Sequence, residues 1–175
     1  MMKKFMTLAL VCSAVLLTAQ EIWDGKAESL SVGTYKTTGT NIQVADGVIT
    51  ATGKTTGEDK YTYLTIHIKT APFTLNGKKL AVTAWGGDSK TGDSLYVKAK
   101  TVGNKNVLSA MKWNQPGLEA KQYIIVPEQK ADLDWIPHQI NAPLDAPITG
   151  IDVIFGRRGA GNALKLMIKD IKLVD

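Results

Sequence analysis

From Ile22 onward the chain is built of short runs in which apolar and polar residues alternate, each closed by Gly, Asn, Asp or Pro. A period of two sends successive side chains to opposite sides of an extended backbone, so such runs form strands with one face in a core. The candidate strands are Ser29 to Val32, Asn41 to Val44, Val48 to Thr52, Tyr61 to Ile68, Lys79 to Trp85, Ser94 to Lys100, Asn106 to Trp113, Gln122 to Val126, Gly150 to Phe155 and Ala163 to Val174. Turn signals separate several of them: Ala45-Asp46-Gly47, Asn76-Gly77, Gly86-Gly87-Asp88 and Gly103-Asn104. No segment has a sustained helical stripe with caps, and Glu128 to Gln139, rich in Pro, Asp and Trp, reads as a loop. About ten short strands at this spacing predict an all-β fold, an antiparallel β-sandwich of jelly-roll type.

The first twenty residues stand apart from this pattern. Lys3 and Lys4 precede an apolar run from Thr7 to Ala19 that ends in small or polar residues, the layout of a secretory signal and too short for a spanning helix. Cleavage near Ala19 or Gln20 predicts a secreted or periplasmic chain of about 155 residues, a single domain over 21–175 with no membrane span. The lone cysteine, Cys12, lies inside the signal. Ala-Leu-Val before it and an apolar stretch after it do not suit lipidation, so the exported chain is expected without disulfides and held by its core.

The chain has 175 residues, 44% of them hydrophobic, enough for one core and too few for a large multidomain enzyme. Its formal charge of +5 falls to +3 once Lys3 and Lys4 are removed. The remaining basic residues are spread along the chain, which argues against nucleic acid as a partner. A monomer is expected.

Alternation also assigns faces. In four successive strands the core side takes Leu64, Ile66 and Ile68, then Leu80, Val82 and Ala84, then Leu95, Val97 and Ala99, then Leu108 and Ala110. The non-core positions are therefore Tyr63, Thr65 and His67; Ala81, Thr83 and Trp85; Tyr96, Lys98 and Lys100; and Ser109, Met111 and Trp113. A sheet face carrying Tyr63, His67, Trp85, Tyr96 and Trp113 among Thr and Lys suits a sugar. The axial hydrogens of a pyranose stack on an aromatic plane, and its hydroxyls need donors and acceptors at the rim. The bland alternative is that Tyr and Trp are good strand formers and that the segment from Glu128 to Pro147 folds over them as a second small core.

The end of the chain sharpens the first reading. Gly159-Ala160-Gly161-Asn162 opens a long last strand in which Leu164, Leu166 and Ile168 share a face before Ile171 and Leu173 take over, a slip of one register at Lys169-Asp170 that a β-bulge produces. This closing strand, with the strand count and the aromatic face, resembles noncatalytic carbohydrate-binding modules of the galactose-binding-like jelly-roll type. The resemblance implies binding of a polysaccharide or oligosaccharide by Trp, Tyr and a few polar groups. It also implies a structural calcium joining the first strand to the last, for which Asp170 fits the last-strand carboxylate and Asp24 or Glu28 its N-terminal partner.

Two other classes stay open. A polysaccharide lyase acting on a uronate polymer needs a Tyr or His to move a proton and a cation to neutralise the acid, and Tyr63, His67, Tyr96, Lys98 and Arg157 supply those residue types. Tyr96-Val97-Lys98-Ala99-Lys100 has a faint likeness to a strand of the jelly-roll alginate lyases, whose arginine-rich strand and Gln-x-His element are missing here. An envelope adhesion or structural protein would use the same sandwich and cover the aromatic face with another protein. Metal catalysis has little to work with, since His67 and His138 are the only histidines and no HExxH is present. Asp132 and Asp134 flank Leu133 as a solvated loop, and Gly156-Arg157-Arg158-Gly159 precedes a strand, so it reads as a hairpin turn with exposed arginines rather than a phosphate loop.

Overall fold

Where residues alternate, the chain is extended, and the alternation closes into two facing sheets. The computed structural model describes residues 19–23, 25–56, 62–87, 93–113, 121–127 and 139–175, apart from the side chains of 111–113 and 121. The strands are β1 (Gln20–Glu21), β2 (Leu30–Tyr35), β3 (Thr37–Ala45), β4 (Val48–Thr55), β5 (Thr62–Phe73), β6 (Lys79–Gly86), β7 (Ser94–Lys100), β8 (Asn106–Trp113), β9 (Lys121–Ile125), β10 (Ile148–Arg157) and β11 (Ala163–Val174). The only helical element among the described residues is a 3-10 turn at Ala27–Ser29. None of those residues forms a helix long and apolar enough to cross a membrane.

One sheet has the order β3-β4-β11-β6-β9, and β1 pairs with β11. The other has the order β2-β5-β10-β7-β8. Every pairing is antiparallel. The jelly-roll sandwich expected from the sequence is therefore present, with β1 as an additional strand inside the segment assigned to the signal boundary. β4 pairs with β11 through Ile168, and β1 takes up the same edge at Lys172 and Leu173, so one long strand is flanked twice.

The core fills the space between the sheets. Leu64, Ile66, Ile68, Leu95, Val97, Ala99, Ile151, Val153 and Phe155 from one sheet meet Ile49, Ala51, Leu80, Val82, Ala84, Leu164, Leu166, Ile168, Ile171 and Leu173 from the other, all buried. The bulge falls where the alternation slips: Ile168 pairs with Ala84 and Asp170 with Thr83, leaving Lys169 as the extra residue. Gly86 is a glycine because the Phe155 ring lies against it, where a Cβ would come 2.7 Å from Cζ. The Asp46-Gly47 and Asn76-Gly77 turns have positive φ at both residues, as Asx-Gly signals demand.

One corner of the core is ionic. Arg157 follows Phe155 on the inward side of β10 and is only 5% exposed. Its Nε and Nη2 donate to Oδ1 and Oδ2 of Asp93 at 3.1 and 2.8 Å, and its Nη1 donates to the Ala163 carbonyl at 2.6 Å. The exposed arginine expected at this turn is therefore a buried fork joining β10, the entry to β7 and the start of β11. It is committed to Asp93 and unavailable to a ligand acid.

Candidate functional site

The outer face of the β2-β5-β10-β7-β8 sheet is laid out by its register. Tyr35 pairs with Tyr63, Tyr63 with Gly156, Gly156 with Ser94 and Ser94 with Trp113. Two residues along, the row runs Gly33, Thr65, Ile154, Tyr96 and Met111, and two further along it runs Ser31, His67, Asp152, Lys98 and Ser109. Two residues further, Lys69, Gly150 and Lys100 share a fourth row. The tyrosine row and the histidine row are four residues apart along β5, about 13 Å at strand rise.

At the tyrosine end, the Tyr63 ring lies 6.1 Å from the Tyr35 ring and 6.0 Å from the Tyr96 ring, the latter edge-on at 79°. Gly156 makes this possible, since a Cβ there would stand 2.9 Å from Tyr63 Cε1. The three rings form a graded series: Tyr35 is 53% exposed, Tyr63 is half-buried and Tyr96 is fully buried. Tyr96 thus packs edge-on beside Tyr63 on the same face without reaching solvent. Tyr35 lay outside the shorter strand inferred from sequence, although Ser31, Gly33 and Tyr35 continue the alternation opposite Leu30 and Val32.

At the other end, His67 Nδ1 lies 2.8 Å from Asp152 Oδ1, and Lys100 Nζ lies 2.5 Å from Oδ2. The His67 ring occupies the space over Gly33 that a Cβ would need. Burial alone raises the Asp152 pKa, but the hydrogen bonds and charges of His67 and Lys100 outweigh it and hold the carboxyl below the usual carboxylate range. Lys98, beside Asp152 in the same row, is pushed below the ordinary lysine value, by burial first and Lys100 second, with Asp152 opposing. Asp152 was not among the residues singled out from sequence. A lone acid between Ile151 and Val153 in a central strand is the signal that points to it.

Beside this trio is an open hollow of about 310 Å³, lined in part by Ser31, His67, Lys69, Lys100, Asn104 and Asp152. Asn106, the strand partner of Lys100, ties the following chain to this edge: its backbone N–H donates to Asn141 Oδ1 at 2.6 Å and its carbonyl accepts from the N–H groups of Asn141 and Ala142.

The five residues expected on one face divide. Tyr63, His67 and Tyr96 share the outer face of one sheet, and Trp113 occupies the register position opposite Ser94 in that sheet. Trp85 is on β6 in the other sheet, opposite Met167, with a sandwich core between it and the tyrosines. Alternation makes each strand two-faced but does not say which sheet the strand joins, and here β6 joins the one that β5, β7 and β8 do not. The face is also part open and part covered: Tyr35, His67 and Lys69 are accessible, whereas Tyr96, Ser109 and Asp152 are buried.

No three of His, Cys, Asp and Glu cluster for a metal among the described residues. Asp170 pairs with Thr83, and Glu28 is exposed on the 3-10 turn. Asp24, the other proposed partner, lies outside the described residues, as do Cys12, Asp132, Asp134 and His138.

Among known proteins, no family model matches the sequence, and no curated protein matches it. The fold, in contrast, is similar to solved carbohydrate-binding modules. One is a family 11 carbohydrate-binding module from Clostridium thermocellum in complex with a β-1,3-1,4-mixed-linked tetrasaccharide, at TM-score 0.59 and 14% identity over 89% of this chain and 95% of that one. Another, from a study of promiscuous specificity in the β-sandwich carbohydrate-binding modules, has a TM-score of 0.57 and 11% identity, and the match covers 87% of this chain but 59% of its length. An agarase shares the fold over 90% of this chain and 24% of its own, at TM-score 0.53 and 12% identity. The chain has the β-sandwich fold of carbohydrate-binding modules.

Proposed function

We propose that this protein is exported and binds a polysaccharide, without cleaving it, on the open strip of the β2-β5-β10-β7-β8 sheet. The observation that carries this reading is the combination of two exposed or half-exposed tyrosines, Tyr35 and Tyr63, with His67 about 13 Å further along the same face. Rings at one end offer apolar planes to sugar faces. His67, Ser31 and the lysines at the other offer hydrogen-bonding groups to hydroxyls. Tyr96 holds Tyr63 in place, and Gly33 and Gly156 let the His67 and Tyr63 rings lie close to the backbone, so the platform is preorganised. The modules with this fold that are named for carbohydrate binding lend the reading further support. Trp85, on the opposite sheet, has no part in this strip.

Affinity electrophoresis of the purified protein through gels containing different polysaccharides tests the proposal. Retardation on at least one polymer, weakened by Tyr63→Ala, is expected. Free migration on all of them overturns it, and release of unsaturated oligosaccharides from a uronate polymer moves the protein to the lyase class.

A further inference from the structure

The polar end of the strip carries more positive than negative charge. Lys69, Lys98 and Lys100 lie in its last two rows, and among the described residues of those rows Asp152 is the only acid. Asp152 is spoken for, held by Lys100 on one oxygen and by His67 on the other. Lys69 is exposed at the mouth of the hollow and has no ion-pair partner among the described residues. Lys98, half-buried beside Asp152, makes no direct ion pair there either. A neutral sugar needs both donors and acceptors around its hydroxyls, whereas ammonium groups only donate. Three lysines around one already paired carboxylate therefore match an acceptor-rich, negatively charged group better than a hydroxyl.

We infer that the hollow beside His67, Lys69 and Lys100 selects an acidic polysaccharide by taking the carboxylate or sulfate of one sugar unit while the neighbouring units stack along Tyr63 and Tyr35. This rests on the polysaccharide-binding reading above and adds the class of polymer. Lys69 supplies the exposed charge at the entrance. Lys98, in the adjoining row beside Asp152, adds a second, half-buried positive charge behind it.

The test compares three gels: a uronate polymer such as alginate, a sulfated galactan such as carrageenan, and a neutral mixed-linked β-glucan. Retention on an acidic gel should exceed that on the neutral one. It should weaken as ionic strength rises past ~0.1 M, where the Debye length shrinks to about 10 Å. Lys69→Glu, an exposed change with little bearing on folding, should reduce acidic-polymer affinity roughly tenfold. Lys54→Glu, exposed on a strand of the opposite sheet, makes the same change in net charge and should leave affinity unchanged. The alginate and carrageenan arms tell carboxylate from sulfate. Binding to the neutral glucan alone, or equal losses in the two charge-reversal variants, overturns the acidic selectivity while leaving polysaccharide binding standing. Absence of binding on all three gels overturns both.

Discussion

His67 and Asp152, 85 positions apart in the chain, face each other directly across the β5-β10 pair and meet side chain to side chain, Nδ1 to Oδ1 at 2.8 Å. The contact joins an accessible ring to a buried carboxylate, so the polar end of the strip is anchored in the centre of its sheet rather than in a loop.

This anchoring should be visible in the acid stability of the protein. The folded pKa of Asp152 is depressed: burial raises it, but the contacts from His67 and Lys100 lower it further. Its contribution is therefore complete above the ordinary carboxylate value of about 4 and is lost as pH falls through the depressed folded value. Asp152→Asn should be less stable than the wild type near neutrality by about 1–3 kcal/mol, since Lys100 loses its counter-charge. Urea denaturation across a pH series should show the two proteins converging in stability below about pH 4. A gap that stays constant into strong acid contradicts the role given to this carboxylate.

Gly33→Ala tests the seat of His67. The backbone at Gly33 is not left-handed, so alanine is conformationally acceptable there, but its methyl group would enter the volume of the imidazole. The ring is partly solvent-exposed and can move, so the stability change should stay within about 1 kcal/mol while the His67–Asp152 contact is lost. Weaker retention on polysaccharide with a nearly unchanged melting temperature is expected. Full retention would mean that the position of His67 is immaterial to binding.

Tyr63 and Trp85 provide the sharpest pair of variants, because they occupy outer faces of opposite sheets. Tyr63→Ala should cost on the order of 1–3 kcal/mol of binding, as for an aromatic anchor. Trp85→Ala should leave binding unaltered. Calorimetric titration with an oligosaccharide of the retained polymer measures both, and a reversed order of effects would move the binding surface to the β3-β4-β11-β6-β9 sheet.

Arg157 should matter to folding alone. Arg157→Ala removes the two-pronged partner of the buried Asp93 carboxylate, which costs about 3–5 kcal/mol. Arg157→Lys should recover only part of that, because an ammonium cannot reproduce the two-pronged contact with Asp93 together with the bond to the Ala163 carbonyl. Chemical denaturation reads both. Equal stability of the lysine variant and the wild type would show that the fork geometry contributes nothing.

Most strands and their inward faces are legible in the residue alternation alone. Period-two alternation depends only on which side of an extended backbone each residue falls, and so Leu64, Ile66 and Ile68, or Leu95, Val97 and Ala99, were legible as core without any knowledge of their neighbours. The bulge at Lys169 was legible for the same reason, as a slip in that alternation. The partner of each strand is a different kind of information. Antiparallel strands pair across connections of any length, and it is the packing of the whole chain that sends β6 to the opposite sheet from β5, β7 and β8, carrying Trp85 away from Tyr63 and Tyr96. The same holds for the charges. Arg157 reads as a surface arginine at a turn, yet Asp93, 64 positions earlier, lies against it, and Asp152 takes its role only from the register that sets it between His67 and Lys100. Hydrophobic patterning is written locally because burial is a property of each residue, whereas a binding face and an ion pair are relations between residues that strand order alone brings together.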